Sequence, residues 1–204
     1  MRRILLATTN RDKVKEIRGI LAGLPVELIG LDDVPSVAAP EETGATFEEN
    51  ARLKASYYAG ATGLTAIAED SGLAIDALDG APGVESARFG GADTTYPQKF
   101  DLIYQQLRQR GATTSPARFV CTVAVADASG ILFEARGTVE GSIAPSPAGA
   151  AGFGYDPIFF YPPFGCTLAE VSREQKATVS HRGAAFAKVR GYLTDNSPAS
   201  APRS

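Results

Sequence analysis

The chain has 204 residues, of which 44% are hydrophobic and 21% are charged, and it carries a formal net charge of −3 at pH 7. This composition is typical of one globular domain. It excludes a disordered chain, a membrane-spanning protein and, with only two cysteines, a disulfide-rich one. With two cysteines, no C-x-x-C motif and no apolar run long enough to span a membrane, we expect a cytoplasmic protein that does not bind a membrane. The mild negative charge argues against a nucleic-acid-binding protein, which usually has a strongly basic surface.

The first predicted elements are a strand, a helix and a second strand. Residues 3–8 form a short apolar run that indicates a buried strand, and residues 26–29 form another. Between them, apolar side chains recur at helical spacing and predict a helix that ends near Gly23 and Pro25. Residues 31–45 contain two prolines and are predicted to be a loop.

The junction between the first strand and the helix is a candidate phosphate site. A helix N-terminus presents unpaired amides and the positive end of its dipole, and Lys13 adds a cation there. The alternative is that a threonine or asparagine only caps the helix, which is the commoner use of these residues. The chain has no G-x-x-x-x-G-K-[ST] motif, which excludes an ordinary P-loop. The residues of this junction are Thr8, Thr9, Asn10, Arg11, Asp12 and Lys13.

A second helix is predicted to begin at a capping box. Thr46 and Glu49 have the spacing at which each side chain bonds the backbone amide of the other residue. The apolar face of this helix consists of Phe47, Ala51, Ala55 and Tyr58. Asn50 and Lys54 are four residues apart and point together away from that face. Either they belong to a solvated surface, or Lys54 reaches a phosphate.

An acidic segment follows the third predicted strand, residues 64–68, and is predicted to be a turn. Ligands of α/β sheets gather beyond the carboxyl ends of strands, and the adjacent carboxylates of Glu69 and Asp70 have no basic neighbour in the sequence. A hard cation such as Mg²⁺ would offset these charges, with a further oxygen from Glu41 or Glu42. The alternative is a solvated turn, because aspartate, serine and glycine favour turns.

The second half of the chain is predicted to contain a helix and then a hairpin. Residues 97–110 have the apolar periodicity of a helix, whereas residues 118–127 place their large apolar side chains at every second position, as a strand does. A turn at residues 127–130 leads into a strand at residues 131–135, which completes the hairpin. Strands that alternate with helices early and pair as a hairpin later predict a mixed α/β sheet.

Two further candidate sites lie in the C-terminal third. Glycines on both sides of Phe153 allow a flat ligand to stack on its ring, although packing of the ring into the core explains the pattern equally well. Ser180 is placed to cap a last helix, and His181 and Arg182 follow it where a helix disfavours cations. An anionic ligand would remove that penalty, and so would solvent screening. Lys176 lies nearby in the sequence.

The last helix is predicted to be followed by a tail. Residues 195–204 contain three serines, two prolines and no side chain that would anchor them in a core. We therefore expect a single domain of residues 1–194 and a mobile tail of residues 195–204.

Seven segments in a fixed order carry a resemblance to a known family. They are Leu6-Ala7-Thr8-Thr9-Asn10 with Lys13; Glu41-Glu42-Thr43-Gly44 through Phe47 and Asn50; Leu53-Lys54-Ala55; Asp70-Ser71-Gly72-Leu73; Gly80-Ala81-Pro82-Gly83 with Ser86-Ala87-Arg88; Gly152-Phe153-Gly154-Tyr155-Asp156-Pro157; and Lys176 with Ser180-His181-Arg182-Gly183. This ordered set resembles the Ham1 family of non-canonical purine nucleoside triphosphate pyrophosphatases. One of these motifs alone would be a weak signal, but the set is highly specific.

The resemblance implies both a fold and an activity. The implied fold is an elongated mixed β-sheet flanked by helices, in two lobes with a central nucleotide cleft, usually within a homodimer. The implied activity is the Mg²⁺-dependent hydrolysis of ITP, dITP and XTP to the monophosphate and pyrophosphate, which removes these nucleotides before they enter DNA or RNA.

The resemblance also implies roles for individual residues. Asp70 would be the general base and would hold Mg²⁺ together with Glu41 and Glu69. The substrate would be bound by Thr8, Thr9, Asn10, Arg11, Asp12, Lys13, Lys54, Ser71, Phe153, Gly154, Tyr155, Asp156, Lys176, His181 and Arg182. The chain departs from the family where many members have glycine at Thr9, aspartate at Glu69 and asparagine at Asp101. The first two departures put in doubt the width of the phosphate turn and the coordination shell of Glu69, but not the presumed base.

Other functions compete with this interpretation. A related pyrophosphatase for modified pyrimidine triphosphates differs in its substrates, and a non-catalytic nucleotide sensor would bind without releasing pyrophosphate. The presumed base Asp70 and three candidate phosphate lysines argue against the sensor.

Overall fold

The computed structural model describes residues 1–196, whose strands form one mixed sheet with helices packed on it. The strands are β1 (Arg2–Leu6), β2 (Val26–Ile29), β3 (Thr65–Ile75), β4 (Pro116–Asp127), β5 (Gly130–Ile143), β6 (Phe159–Tyr161) and β7 (Cys166–Thr167). The helices are α1 (Arg11–Ile20), α2 (Phe47–Thr62), α3 (Tyr96–Gln109), α4 (Arg173–Ala177) and α5 (His181–Asp195). Hydrogen bonds join the strands in the order β2-β1-β3-β4-β5-β6-β7.

The pairing of β1 leaves one edge of β3 open. β1 runs parallel to β2 and β3, and the other strand pairs of the described sheet are antiparallel. β1 pairs with β3 only as far as Leu6, which lies opposite Ile67, although β3 continues to Ile75. The next pairing on this side, among the described residues, is an isolated bridge between Ala74 and Pro82. A gap therefore opens along β3 beyond the carboxyl end of β1.

Helices cover both faces of the sheet around β1 and β3. On one face, Ile17 of α1 and Phe186 of α5 share a buried cluster with Ile67 of β3. On the other face, Ala55 of α2 shares a second cluster with Ala68 of β3. Because side chains alternate between the two faces of a strand, consecutive residues of β3 face different helices.

The far end of β3 belongs to a separate core. Leu73 and Ile75 cluster with Phe100, Ile103 and Leu107 of α3, together with residues of β4, β5 and β6. The two parts of the molecule meet along β3, on which the gap lies. The prediction of a mixed α/β fold with flanking helices is confirmed.

Local sequence signals predicted several elements correctly. Thr46 Oγ1 accepts a hydrogen bond from the Glu49 amide at 3.1 Å, and Glu49 Oε2 accepts one from the Thr46 amide at 3.3 Å, so the capping box is present. Ser180 caps α5 by accepting a hydrogen bond from the Gly183 amide at 3.1 Å. The predicted hairpin is formed by β4 and β5. Each of these signals needs only a few neighbouring residues.

Two predicted strands were too short. The acidic segment that was predicted to be a turn lies inside β3, where Glu69 pairs with Val123 and Asp70 pairs with Thr122 of β4. β5 likewise continues to Ile143 instead of ending at residue 135. The segment is extended because β4 supplies its backbone partners and distant helices supply partners for its carboxylates, as described below.

The end of the described chain differs slightly from the prediction. α5 includes Asp195, which is the first residue of the predicted tail. Residues 197–204 of that tail lie outside the described residues. No helix within residues 1–196 has the length and apolar character that a membrane crossing requires.

Candidate active site

The gap along β3 is the mouth of a cleft with a cavity of about 330 Å³. The residues that line it come from the turn after β1, from α2 and the loop before it, and from the segments around Phe153 and His181. The predicted substrate-binding residues that line this cleft are Thr8, Thr9, Asn10, Lys13, Lys54, Ser71, Phe153, Gly154, Tyr155, Asp156, Lys176, His181 and Arg182. Asp70 and Glu69 line it as well.

The turn after β1 caps α1 and directs Lys13 into the cleft. Asn10 Oδ1 accepts hydrogen bonds from the amides of Asp12 and Lys13 at 3.0 and 3.2 Å, so the Asn10 side chain is the N-cap of α1. The Thr8 hydroxyl accepts one from the Asn10 amide at 3.2 Å. Arg11 and Asp12 were expected to bind substrate, but they are exposed in the first turn of α1 and do not line the cleft.

Asp70 is held by two residues of α2. Its Oδ1 accepts a hydrogen bond from Lys54 Nζ at 3.0 Å, and its Oδ2 accepts one from Asn50 Nδ2 at 3.3 Å. Lys54 Nζ also donates to Glu42 Oε1 at 2.8 Å. Burial raises the pKa of the Asp70 carboxyl above its usual value, although Lys54 acts in the opposite direction. Burial acts to lower the pKa of Lys54, but the charges of Asp70 and Glu42 raise it.

Glu69 points to the opposite face of β3 and is surrounded by donors. Lys13 Nζ lies 2.7 Å from Glu69 Oε1, and Arg182 donates to both carboxylate oxygens at 2.7 and 3.1 Å. The Cys121 thiol donates to Oε2 at 3.1 Å. Burial acts to raise the pKa of Glu69, but Lys13 and Arg182 hold that pKa well below its usual value. Glu69 therefore orients two cations. Because donors already occupy both of its oxygens in this geometry, its role as a Mg²⁺ ligand stays a prediction.

Arg182 is a buried residue that holds several side chains of the cleft in place. Besides Glu69, it donates to Glu16 Oε2 at 2.7 Å and to the Ser71 hydroxyl at 3.2 Å. Glu16 Oε1 in turn accepts a hydrogen bond from the Ser180 hydroxyl at 2.6 Å. The electrostatic penalty of a cation in the first turn of α5 is thus removed by the buried Glu69 and the partly buried Glu16, rather than by solvent screening.

Phe153 presents an aromatic surface to the cleft. Its side chain is partly exposed, and Lys176 Nζ lies 4.5 Å from the ring centroid. The Phe153 amide donates to Asp156 Oδ2 at 2.8 Å, and the same buried carboxylate contacts Lys176 Nζ. Burial raises the pKa of Asp156, although Lys176 opposes the shift. Tyr155 is buried and donates its hydroxyl to the Ser86 carbonyl at 2.8 Å, so Tyr155 and Asp156 support the Phe153 segment from behind.

His181 forms a second flat surface in this part of the cleft. Its ring stacks on Phe119 with 5.0 Å between centroids and an interplanar angle of 16°. Burial, together with the nearby charge of Arg182, holds the pKa of His181 well below its usual value. The imidazole is therefore neutral at physiological pH and can accept a hydrogen bond as well as donate one.

The carboxylates of Asp70 and Glu42 are the candidate ligands for a divalent cation. Both contact Lys54 Nζ, so they face a common point at the cleft wall. Mg²⁺ is commonly held by one or two carboxylates together with substrate phosphates and water, which this donor set fits. Glu41 was the predicted ligand, but its side chain is exposed and does not line the cleft. Within residues 1–196, no group of three or more metal-ligating side chains is arranged to hold a metal without a substrate.

Two contributors to the site were not identified as such from the sequence. Glu16 lies three residues after Lys13, and this helical spacing places both on the cleft side of α1, but only the fold brings Arg182 to them. Asn50 was identified as a neighbour of Lys54 on α2, yet not as a partner of Asp70.

Comparison with known proteins identifies relatives whose similarity extends over nearly the whole chain. The model of the Ham1 family matches residues 4–192. A dITP/XTP pyrophosphatase of Exiguobacterium sp. is 48% identical over 94% of this chain and 96% of its own length, and one of Geobacter sulfurreducens is 45% identical over 95% and 97%. The solved structure of a HAM1 protein from Coxiella burnetii has a TM-score of 0.88 at 38% identity and covers 96% of this chain and 100% of its own. The Staphylococcus aureus Ham1 protein gives a TM-score of 0.87 at 36% identity with the same coverage.

Proposed function

The chain belongs to the Ham1 family, and from this membership we propose that it is a nucleoside triphosphate pyrophosphatase that hydrolyses ITP, dITP and XTP to the monophosphate and pyrophosphate. One observation carries the proposal from the family to this chain. Lys13 and Lys54 line the same cleft as Asp70, so cations for a polyphosphate and a carboxylate for its hydrolysis lie in one crevice, and Lys176 lines this cleft beside Phe153.

The cations of the cleft are fixed before any substrate binds. Lys13 is paired with Glu69, and Lys54 is paired with Asp70 and Glu42. Lys176 is likewise paired with a buried aspartate. Cations that are already ordered lose little conformational entropy on binding, and they stabilise developing charge without reorganisation. This preorganisation supports binding and hydrolysis of a triphosphate.

Asp70 is the group that we assign as general base. The oxygen of a water molecule forms a bond to the α-phosphorus, the bond between the α-phosphorus and the bridging oxygen breaks, and pyrophosphate leaves. The Asp70 carboxylate takes the proton of that water. Its raised pKa makes it a better proton acceptor than an exposed aspartate.

Asp70 and Glu42 are the residues that we assign to Mg²⁺, in place of the predicted Glu41 and Glu69. When bound there, Mg²⁺ would neutralise charge on the phosphates and on the pyrophosphate leaving group. Lys13 contributes positive charge from the opposite face of β3, so both sides of the phosphate chain meet cations.

Phe153 and Lys176 support selection of the purine base. A purine that stacks on Phe153 would lie beside Lys176, whose ammonium group can only donate hydrogen bonds. Hypoxanthine and xanthine present a 6-oxo acceptor, whereas adenine presents a 6-amino donor, so this arrangement favours the oxo purines. Arg182 is less suited to this role, because Glu69, Glu16 and Ser71 already occupy most of its donors.

Hydrolysis of these substrates would remove them from the nucleotide pool before a polymerase incorporates them. We further propose, from the family alone, that the protein acts as a homodimer in the cytoplasm.

A pyrophosphate-release assay tests the function. We expect dITP, ITP and XTP to be hydrolysed faster than GTP, ATP or dUTP, and EDTA to abolish the reaction. Asp70→Asn removes the general base while keeping the shape of the side chain, so kcat is expected to fall by about 10²–10⁴-fold. Faster hydrolysis of dUTP than of dITP would instead favour the pyrimidine substrate class. Near-normal kcat in the Asp70→Asn variant would remove Asp70 from the role of base.

A further inference from the structure

Asn50 is a fully buried polar residue of α2, and both ends of its amide are hydrogen-bonded. Its Oδ1 accepts a hydrogen bond from the Gly44 backbone amide at 2.8 Å. Its Nδ2 donates one to Asp70 Oδ2 at 3.3 Å. The residue therefore joins the loop before α2 to the carboxylate that we assign as the base.

The backbone of Gly44 determines which way this amide points. A backbone N–H can only donate, so the oxygen of the Asn50 amide must face Gly44 and the NH₂ group must face Asp70. The approach also requires glycine at position 44, because a Cβ there would lie 2.6 Å from Asn50 Oδ1. Asp70 is thus always presented with a donor from this side.

Asn50 and Lys54 complete a closed set of contacts. They lie one helical turn apart on α2, and each holds one oxygen of Asp70. Glu42, two residues before Gly44 on the same loop, accepts a hydrogen bond from Lys54. One side of α2 therefore fixes the Asp70 carboxylate and the position of Glu42 together.

We propose that Asn50 is a positioning residue for the hydrolysis: it fixes the orientation of the Asp70 carboxylate and its position relative to Glu42. This inference rests on the proposed function, in which those two carboxylates take part in the reaction. Asn50 itself is buried behind Asp70 and outside the cleft lining, so it does not bind the substrate. Groups of this kind act through the residue that they hold, and their loss typically lowers activity by about 10–100-fold.

The variant Asn50→Asp tests the donor without changing the shape of the side chain. It keeps an acceptor for Gly44 but turns a carboxylate oxygen toward Asp70, and the two like charges repel. We expect kcat for dITP to fall by about 10–100-fold and KM to change by less than about threefold, together with a lower Tm. Asn50→Ala removes the donor without adding charge, and it is expected to lower kcat by a smaller factor. Ser56→Asp, which adds a negative charge to an exposed position of the same helix, is the matched control and should keep the wild-type kcat and KM.

The exchange variant N50D/D70N distinguishes loss of the contact between residues 50 and 70 from a general loss of stability. In this variant the carboxylate at position 50 would accept from the Gly44 amide and from the side-chain amide at position 70. The oxygen of that side-chain amide would still accept from Lys54, so every hydrogen bond has a donor and an acceptor again. We expect the exchange to regain the Tm lost in Asn50→Asp while kcat stays as low as in Asp70→Asn. If Asn50→Asp proves too unstable to purify, Asn50→Ala and the exchange variant still provide the comparison.

Two outcomes would overturn the inference. Wild-type kcat in Asn50→Asp and Asn50→Ala would show that Asn50 positions nothing needed for the reaction. An exchange variant no more stable than Asn50→Asp would show that the contact with residue 70 is not what the substitution breaks. If instead the wild-type enzyme released no pyrophosphate from any triphosphate, the proposed function would fail, and the Tm comparison would still decide whether Asn50 holds residue 70.

Discussion

Glu69 and Asp70 are neighbours in β3, yet their carboxylates have pKa values shifted in opposite directions. Lys13 and Arg182 overcome the effect of burial and hold the pKa of Glu69 low. Burial outweighs Lys54 and raises the pKa of Asp70. The strand alternation causes this difference, because it directs the first side chain to α1 and α5 and the second to α2. Of these two adjacent acids, Glu69 therefore orients the cations Lys13 and Arg182, and Asp70 is the candidate base.

The adjacent residues Glu41 and Glu42 allow a matched test of the assigned cation ligand. Glu42 contacts Lys54 beside Asp70, whereas Glu41 is exposed and outside the cleft lining. We expect Glu42→Gln to lower kcat/KM for dITP by at least about tenfold and to raise the Mg²⁺ concentration needed for half-maximal rate, and Glu41→Gln to change either value by less than about twofold. The measurement is a titration of the rate with Mg²⁺ at fixed dITP. The reverse order of effects would return the ligand role to Glu41.

His181 is the only histidine in the sequence, so its titration can be followed without ambiguity. Its pKa is held well below the usual 6.5, which means that the unfolded chain takes up a proton near pH 6.5 and the folded chain does not. The stabilisation that results is fully present above pH 6.5 and is lost as the pH falls toward the lower, folded-state pKa. The titration of this one group changes the free energy of unfolding by at most about 1.4 kcal/mol per pH unit.

The pH dependence of unfolding checks this prediction on protein without a histidine tag. As the pH is lowered from 6.5 to 5, we expect the free energy of unfolding to decrease more steeply in the wild-type protein than in His181→Gln. NMR should show the imidazole signal of the folded protein still unprotonated at pH 6. An imidazole that titrates at pH 6.5 or above would contradict the lowered pKa assigned to this ring.

At the scale of elements, β3 is where prediction from the sequence failed most clearly. A polar run of Glu, Asp, Ser and Gly is typical of a turn, and no neighbour in the sequence offsets its charges. In the structure the segment is a strand, since Lys13, Lys54 and Arg182 arrive from three helices and Arg182 lies 113 residues away from Glu69. Pairing between residues so far apart leaves no pattern in the local sequence. The capping box of α2 and the turn of the β4–β5 hairpin, in contrast, each have a recognisable local pattern.

A substitution at Gly72 of β3 tests whether this strand must lie close to residues 83–86, which pack against its open edge. A Cβ at position 72 would lie 2.5 Å from the Gly83 carbonyl oxygen and closer still to Ser86 Oγ, and the backbone oxygen cannot move away without shifting the segment. We expect Gly72→Ala to destabilise the protein by about 1–3 kcal/mol and to lower activity, because Ser86 and Ala87 line the cleft.

Gly60 provides the control for this substitution. It lies inside α2, and a Cβ there would meet nothing within 4 Å. Gly60→Ala should therefore stabilise the protein by up to about 1 kcal/mol through helix propensity and leave kcat unchanged. Urea denaturation of both variants measures the two effects. Equal stability of Gly72→Ala and the wild-type protein would contradict the close approach.

At the scale of the whole molecule, the cleft results from the order of the strands. β1 stops at Leu6 while β3 runs on to Ile75, and the two cores lie on either side of the edge that is left open. Periodicity and caps predicted the longer helices and the hairpin, and most of the residues in the ordered motifs line one cleft. The motifs did not predict that Arg11, Asp12 and Glu41 lie outside the cleft lining, or that Lys54 contacts Glu42 and Lys13 contacts Glu69, because these contacts depend on where distant side chains come to lie.

We propose that this cleft directs water to the α-phosphorus of a bound triphosphate. Hydrolysis of dITP in ¹⁸O-labelled water, followed by mass spectrometry of both products, tests it most directly. We predict one ¹⁸O atom in the phosphate of dIMP and none in the released pyrophosphate. Label in the pyrophosphate, or release of inorganic phosphate in place of pyrophosphate, would contradict the claim.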